Sequence, residues 1–148
     1  MTQTGILTDS PAVGALYSEL QQFYARQMQL LDDGEAELWA ATFTEDGEFG
    51  QDIRPEPRVG RVLIGTRMRA AVERQRESGV TRRHWIGMLA VHPQPDGTVH
   101  TRYYALVLET PRGGQAAVHL STACDDVLVR EGDRWLVRSR WITHDGRA

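Results

Sequence analysis

His84 lies in the run Arg82-Arg83-His84-Trp85-Ile86-Gly87, among residues that favour extended backbone. Strand alternation groups it with Ile86, Met88 and Ala90 on one face. If that face is the inner one, the imidazole enters apolar surroundings and titrates near neutrality, which suits moving a proton to or from a carbonyl or hydroxyl oxygen. The plainer alternative is a core histidine satisfied by one hydrogen bond. Asp126, within Asp125-Asp126-Val127-Leu128, is the matching carboxylate candidate. In an apolar pocket its pKa would rise and it could accept a proton from carbon beside a carbonyl. Equally, Asp125 or Asp126 could pair with Arg138 or Arg140 across a hairpin. Tyr24 and Tyr104 are candidate hydroxyl donors to a substrate, and Trp39, Met88 and Trp141 candidate pocket walls; large core residues are the alternative for the aromatic ones.

Other chemistries find little support. Lysine is missing, so all 17 basic residues are arginine, a bias that fits GC-rich coding and carries no mechanism. A net charge of −3 gives no basic footprint for nucleic acid. Cys124 is the single cysteine, which excludes an internal disulfide and a multi-cysteine zinc site; an inert buried thiol is expected. His92, His100, His119 and His144 share no ligand spacing, so no metal site is predicted. Phosphate-cradling glycine loops and nucleophile elbows are missing too, and no cofactor is expected. No apolar run has membrane-spanning length and the first residues lack signal-peptide character, so a cytoplasmic location with no membrane partner is expected.

The elements that must hold these side chains follow from periodicity. Residues 1–9 read as a flexible lead, and residues 10–148 as one domain. Ser10-Pro11 reads as a helix start, followed by a stripe of Leu16, Leu20, Phe23, Tyr24, Leu30 and Leu31. Asp32-Asp33-Gly34 breaks that helix, with Asp33 as a capping residue for a second one over Glu35–Phe43. Thr44–Gly47 reads as a turn with Asp46 in it, ahead of a short strand around Phe49. The segment 51–60 reads as a surface loop, and a third helix as running from about Thr66 to Ser78. Four strands follow, over Arg82–His92, Thr98–Thr110, Ala116–Arg130 and Arg134–Thr143, separated by short hairpin connections. Helices first and a strand meander after them predict an α+β fold. Both faces of the first two long strands are apolar, whereas a sheet with one wet face would alternate. The helices cover one face; a second copy of the chain is the economical cover for the other. A homodimer is expected.

The segments LDDGEAELWAATFTEDGEF, TRRHWIGMLAV and DDVLVREGDRWLVRSRWITHD resemble, respectively, the opening helix–turn–strand, the following long strand and the closing hairpin of NTF2-like domains, within their SnoaL-like group. That resemblance implies a cone of three helices packed in a strongly curved, antiparallel-rich mixed sheet around a small-molecule pocket. The group includes polyketide cyclases, scytalone-dehydratase-like enzymes and β subunits of ring-hydroxylating dioxygenases. The resemblance sets His84 beside a catalytic histidine of scytalone dehydratase, and Asp126 where some cyclases carry an aspartate base. Scytalone dehydratase's helix tyrosine–aspartate pair aligns with Gln29 and Leu30, a departure from that enzyme. The implied function is cofactor-free cyclisation, dehydration or isomerisation of a polyketide-like carbonyl compound. A non-catalytic binding module and a dioxygenase β-subunit-like partner are the alternatives.

Overall fold

The computed structural model describes residues 11–147, so the expected lead over residues 1–9 and a cap at Ser10 lie outside the described residues. Helix α1 (Pro11–Asp32) buries Leu20, Tyr24, Gln27 and Met28 along one face, with Leu16, Phe23, Leu30 and Leu31 packed at its margins. Gly34, at φ 81°, turns the chain out of α1. Helix α2 (Ala36–Ala40) is shorter than its sequence pattern suggested, and its N-cap is Glu35, not Asp33. Phe43 has already entered strand β1 (Phe43–Gln51). Thr44–Gly47, expected as a turn, is an irregularity inside that strand, where the pairing register shifts between Phe43 and Glu48. The Thr44 hydroxyl donates to Asp46 there.

Strand β2 (Arg58–Val59) pairs antiparallel with β1, in a segment read from sequence as loop. Two residues carry no periodicity, so this strand left no pattern to find. Helix α3 (Arg61–Ser78) begins five residues before its expected start and ends at Gly79, whose φ of 72° gives a left-handed cap. Gly65 lets α3 approach α2 closely: a Cβ there would stand 3.0 Å from that of Ala40. The four long strands are β3 (Val80–Pro93), β4 (Val99–Pro111), β5 (Ala117–Glu131) and β6 (Arg134–His144), each within two residues of expectation at either end.

The six strands form one sheet in the order β2-β1-β6-β5-β4-β3. β1 runs parallel to β6 and every other pair is antiparallel. Register defines the inner surface, because side chains directly opposite share a face. His84, Val107 and Leu120 make one inner row, and Ile86, Ala105, Thr122 and His144 the next. Further along, Val91, Thr101, Asp126, Arg140 and Phe49 align across five strands. The core cluster joins this face to α1 and to Trp39, Ile64 and Phe43 of the first half.

Strand β3 does not keep its phase. A bulge between Gly87 and Ala90 interrupts pairing with β4, and Met88 takes φ 55°. The extra residue swaps the faces beyond it. Leu89 and Val91, partly buried, therefore pack against the core, while Met88 is 80% exposed. The alternation that grouped Met88 with His84 ends at this bulge, so Met88 is not a pocket wall.

Left-handed backbone is disfavoured for a residue with a Cβ. Met88→Gly should therefore be neutral or stabilising by up to about 1 kcal/mol, although glycine inside a regular strand costs stability. Equilibrium urea unfolding checks this, and a loss of stability would contradict the bulge.

Candidate active site

The inner face, the end of α1 and one side of α3 line a cleft of about 240 Å³. His84 lines it from β3. Its Nδ1 lies 2.6 Å from Asp32 Oδ1, and its backbone N–H donates to both Asp32 oxygens at 3.1 and 3.2 Å. β3 is an edge strand of the sheet, and the last residue of α1 supplies the acceptor that a neighbouring strand would otherwise provide. A carboxylate at a helix C-terminus opposes the helix dipole. The histidine, rather than helix capping, accounts for Asp32. The departure from the tyrosine–aspartate pair at Gln29 and Leu30 stands, and the carboxylate beside His84 comes from Asp32, two residues further on.

A second dyad of the same construction stands across the cleft. His144, on β6, lines the same cavity. Its Nδ1 is 2.7 Å from Asp52 Oδ1, and its backbone N–H donates to Asp52 Oδ2 at 3.0 Å. These two bonds hold the Asp52 carboxyl below the usual carboxylate range. In each dyad the carboxylate takes Nδ1–H and leaves Nε2 as the ring nitrogen open to a ligand. His144 was counted from sequence only among the histidines without ligand spacing. The signal was its phase, since Arg140, Ile142 and His144 alternate together on β6.

Asp126 was read as a possible base, but it does not line the cleft. It is 2% exposed and is the centre of a buried network. Arg140 donates through Nε at 3.0 Å and Nη2 at 2.9 Å, Tyr24 through its hydroxyl at 2.7 Å, and Tyr103 at 3.1 Å. Arg140 also reaches Gln27 Oε1 at 2.7 Å, and the Thr101 hydroxyl lies 2.6 Å from that of Tyr24. Burial alone would lower the Arg140 pKa, but the Asp126 charge outweighs it and holds the guanidinium protonated. Burial raises Tyr24 and Tyr103 well above the usual phenol value, with the Asp126 carboxylate adding to it. Tyr24 is therefore a network member, not a wall of the cleft.

The remaining expectations divide by face. Trp39 lines the cleft and is 1% exposed. Tyr104 pairs with Gly87 and Ala123 on the outer face and is 54% exposed; its neighbour Tyr103 takes the inner position. Trp141 also turns outward, as the residue after inward Arg140 must, and its ring lies over Gly50, where a Cβ would come within 2.5 Å. Cys124 lines the cleft, but burial raises its thiol to about 11. No group of three or more His, Cys, Asp or Glu among the described residues is arranged to hold a metal ion.

The model of the SnoaL-like domain matches residues 15–141. The chain belongs to the SnoaL-like family. Its cone is the NTF2-like fold. A solved structure from Catenulispora acidiphila is 43% identical, covering 92% of this chain and 96% of that one, with TM-score 0.83; another from the same organism is in complex with S-DNPA. ActVI-ORFA of Streptomyces coelicolor is 34% identical over 91% of this chain and 98% of its own, TM-score 0.84. Aln2 of a further Streptomyces species is 38% identical over 92% and 93%, TM-score 0.83. No curated protein sequence matches the chain. Among the described residues no helix is long and apolar enough to cross a membrane.

Two outcomes follow for this SnoaL-like core. Asp126→Ala leaves Arg140 buried and unpaired, so it should cost roughly 3–5 kcal/mol in chemical denaturation. Cys124 should resist a thiol reagent at pH 8 until the protein unfolds. Its raised folded pKa also means that the folded state keeps a proton the unfolded state has lost, so stability should fall as pH rises above 9.

Proposed function

We propose that this SnoaL-like protein is a cofactor-independent acid–base enzyme acting on a small polycyclic or polyketide-like carbonyl compound. The observation that carries this reading is the His84–Asp32 dyad in the wall of the cleft. Asp32 fixes the tautomer and stabilises the imidazolium that forms when Nε2 takes a proton. Dehydration of a β-hydroxy carbonyl compound illustrates the division of labour. His84 removes the proton from the carbon beside the carbonyl. His144, protonated and paired with Asp52, gives its proton to the departing hydroxyl, which leaves as water. Returning the first proton to solvent and taking one up at His144 resets the site. An aldol-type ring closure or an isomerisation uses the same transfers with a different acceptor for the second proton.

The scale supports two groups working on one substrate. β3 and β6 are three inter-strand steps apart, about 14 Å along the sheet, and both rings reach inward from it. A bicyclic or tricyclic skeleton fits between them. The complex of the Catenulispora acidiphila relative with S-DNPA supports a small-molecule ligand, and the membership of polyketide cyclases in the family supports the substrate class.

The outer face supports a homodimer. Trp85, 67% exposed, stands there with Tyr104, Leu106 and Val118, also exposed, a contiguous apolar surface of the kind that subunits cover. Light scattering at micromolar concentration should give a dimer mass, and Trp85→Glu should shift it to the monomer.

Catalysis is tested by NMR of a bicyclic β-hydroxy ketone in deuterated water. Wild type should exchange the α-hydrogen and eliminate water. His84→Ala and Asp32→Asn should lose both, by on the order of 10²–10⁴-fold in kcat. His144→Ala should keep exchange and lose elimination. Undiminished turnover in His84→Ala would sink the assignment.

A further inference from the structure

The cleft has a charge imbalance that proton transfer does not use. Its lining contains six arginines, at positions 54, 58, 67, 74, 82 and 140, against one acidic residue, Asp32. Asp32 is committed to His84, Arg140 to Asp126 and Arg82 to Glu109. Arg54, Arg58, Arg67 and Arg74 remain, and their side chains have no ion pair or hydrogen bond among the described residues. They arise from three elements: Arg54 follows β1, Arg58 is on β2, and Arg67 and Arg74 share one face of α3 at seven-residue spacing.

Their proximity is unfavourable in the free protein. Burial and then the Arg67 charge lower the Arg54 pKa; burial followed by Arg54, Arg67 and Arg74 does the same to Arg58. A second, independent observation comes from hydrogen-bond satisfaction. Three side-chain polar atoms are buried without any partner among the described residues: Trp39 Nε1, Arg54 Nε and Arg54 Nη2. All three are donors, and both residues line the cleft. Buried donors without acceptors are costly and rare, and a guanidinium edge of this kind matches a two-oxygen anion.

We propose that the Arg54–Arg58–Arg67–Arg74 cluster is a subsite for an oxyanion group of the substrate, a carboxylate or a phosphate, which anchors the molecule while its carbonyl region faces the histidine dyads. This rests on the proposed function for the carbonyl region only; the anion subsite stands on its own donors. Specificity follows from the same geometry. The neutral form of a substrate would leave four cations and two Arg54 donors uncompensated, so the cleft selects acids over their amides or methyl esters.

The test is calorimetric binding of 1-naphthylacetate against its neutral amide, a pair matched in shape. The acid should bind at least about tenfold tighter, with the preference falling as salt rises. Arg54→Gln should reduce the acid to the amide's affinity, and His84→Ala should leave the preference in place. Free Arg54→Gln should also melt about 2–4 °C higher than wild type, because it removes a confined charge; a purely structural arginine would melt lower on replacement. Acetate and inorganic phosphate as competitors separate the two anion sources: stronger displacement by phosphate assigns a phosphate ester, stronger displacement by acetate a carboxylate. Equal affinity for acid and amide, failure of both to bind, or an acid preference that survives Arg54→Gln overturns the subsite. None of these outcomes bears on turnover in the His84 variants, so the two readings fail separately.

Discussion

The ion pair between Asp126 and Arg140 is the constraint around which the cone is organised. Each residue sits directly opposite the other on β5 and β6, inside the sheet, with almost no exposure on either side chain. A buried charge pair is a weak source of net stability but a strong source of specificity, because any register that separates the partners strands two charges in an apolar interior. Here the pair also recruits α1 through Tyr24 and Gln27. A one-residue slip of β6 would turn Arg140 outward together with Ile142 and His144. The arrangement of the cleft therefore depends on a pair that does not line it as a pair: Arg140 forms its floor, and Asp126 lies behind.

This separates two kinds of polar group that look alike in one dimension. Asp126, Arg140, Tyr24, Tyr103 and Gln27 pair among themselves and with Thr101 and Thr42, and hold the sheet to the helix. His84, His144 and the four unpaired arginines, Arg54, Arg58, Arg67 and Arg74, are each left with something unspent, a ring nitrogen or a donor edge. Their incompleteness is located in one cavity. Elsewhere the interior follows the ordinary rule that buried polar atoms find partners.

Much of this was readable without coordinates. The four long strands and α1 declared themselves because hydrophobic periodicity over ten or more residues is hard to mistake. Alternation grouped His84 with Ile86 but left open which face was the inner one; the pairing with Val107 and Leu120 decides it. Elements shorter than one period left no such trace, which is why β2 and the irregularity in β1 went unread. The bulge at Met88 was invisible for a different reason: nothing in Gly87-Met88-Leu89 distinguishes it from regular strand, and its effect is to invert a pattern otherwise correctly followed. Tyr104 was preferred to Tyr103 because pairing register, not alternation within one strand, decides which of two adjacent tyrosines turns inward. Asp32, Asp52 and the unpaired arginines belong to different elements from the groups they serve. Arg67 offered one clue, since no acidic residue lies three or four positions from it on α3.

The parallel pairing of β1 with β6 carries a consequence in time. Its partners, such as Phe49 and Arg140, are separated by most of the chain, and contacts of long sequence separation form late and slowly. During synthesis the helices and the β3–β4–β5 meander emerge before β6, which brings Arg140 and His144 with it. Until that strand docks between β1 and β5, the Asp126 carboxylate lacks its counterion and Asp52 lacks its histidine. The cavity then closes in the same step that completes its chemistry, so a partly folded chain presents neither a finished pocket nor a working pair of proton carriers.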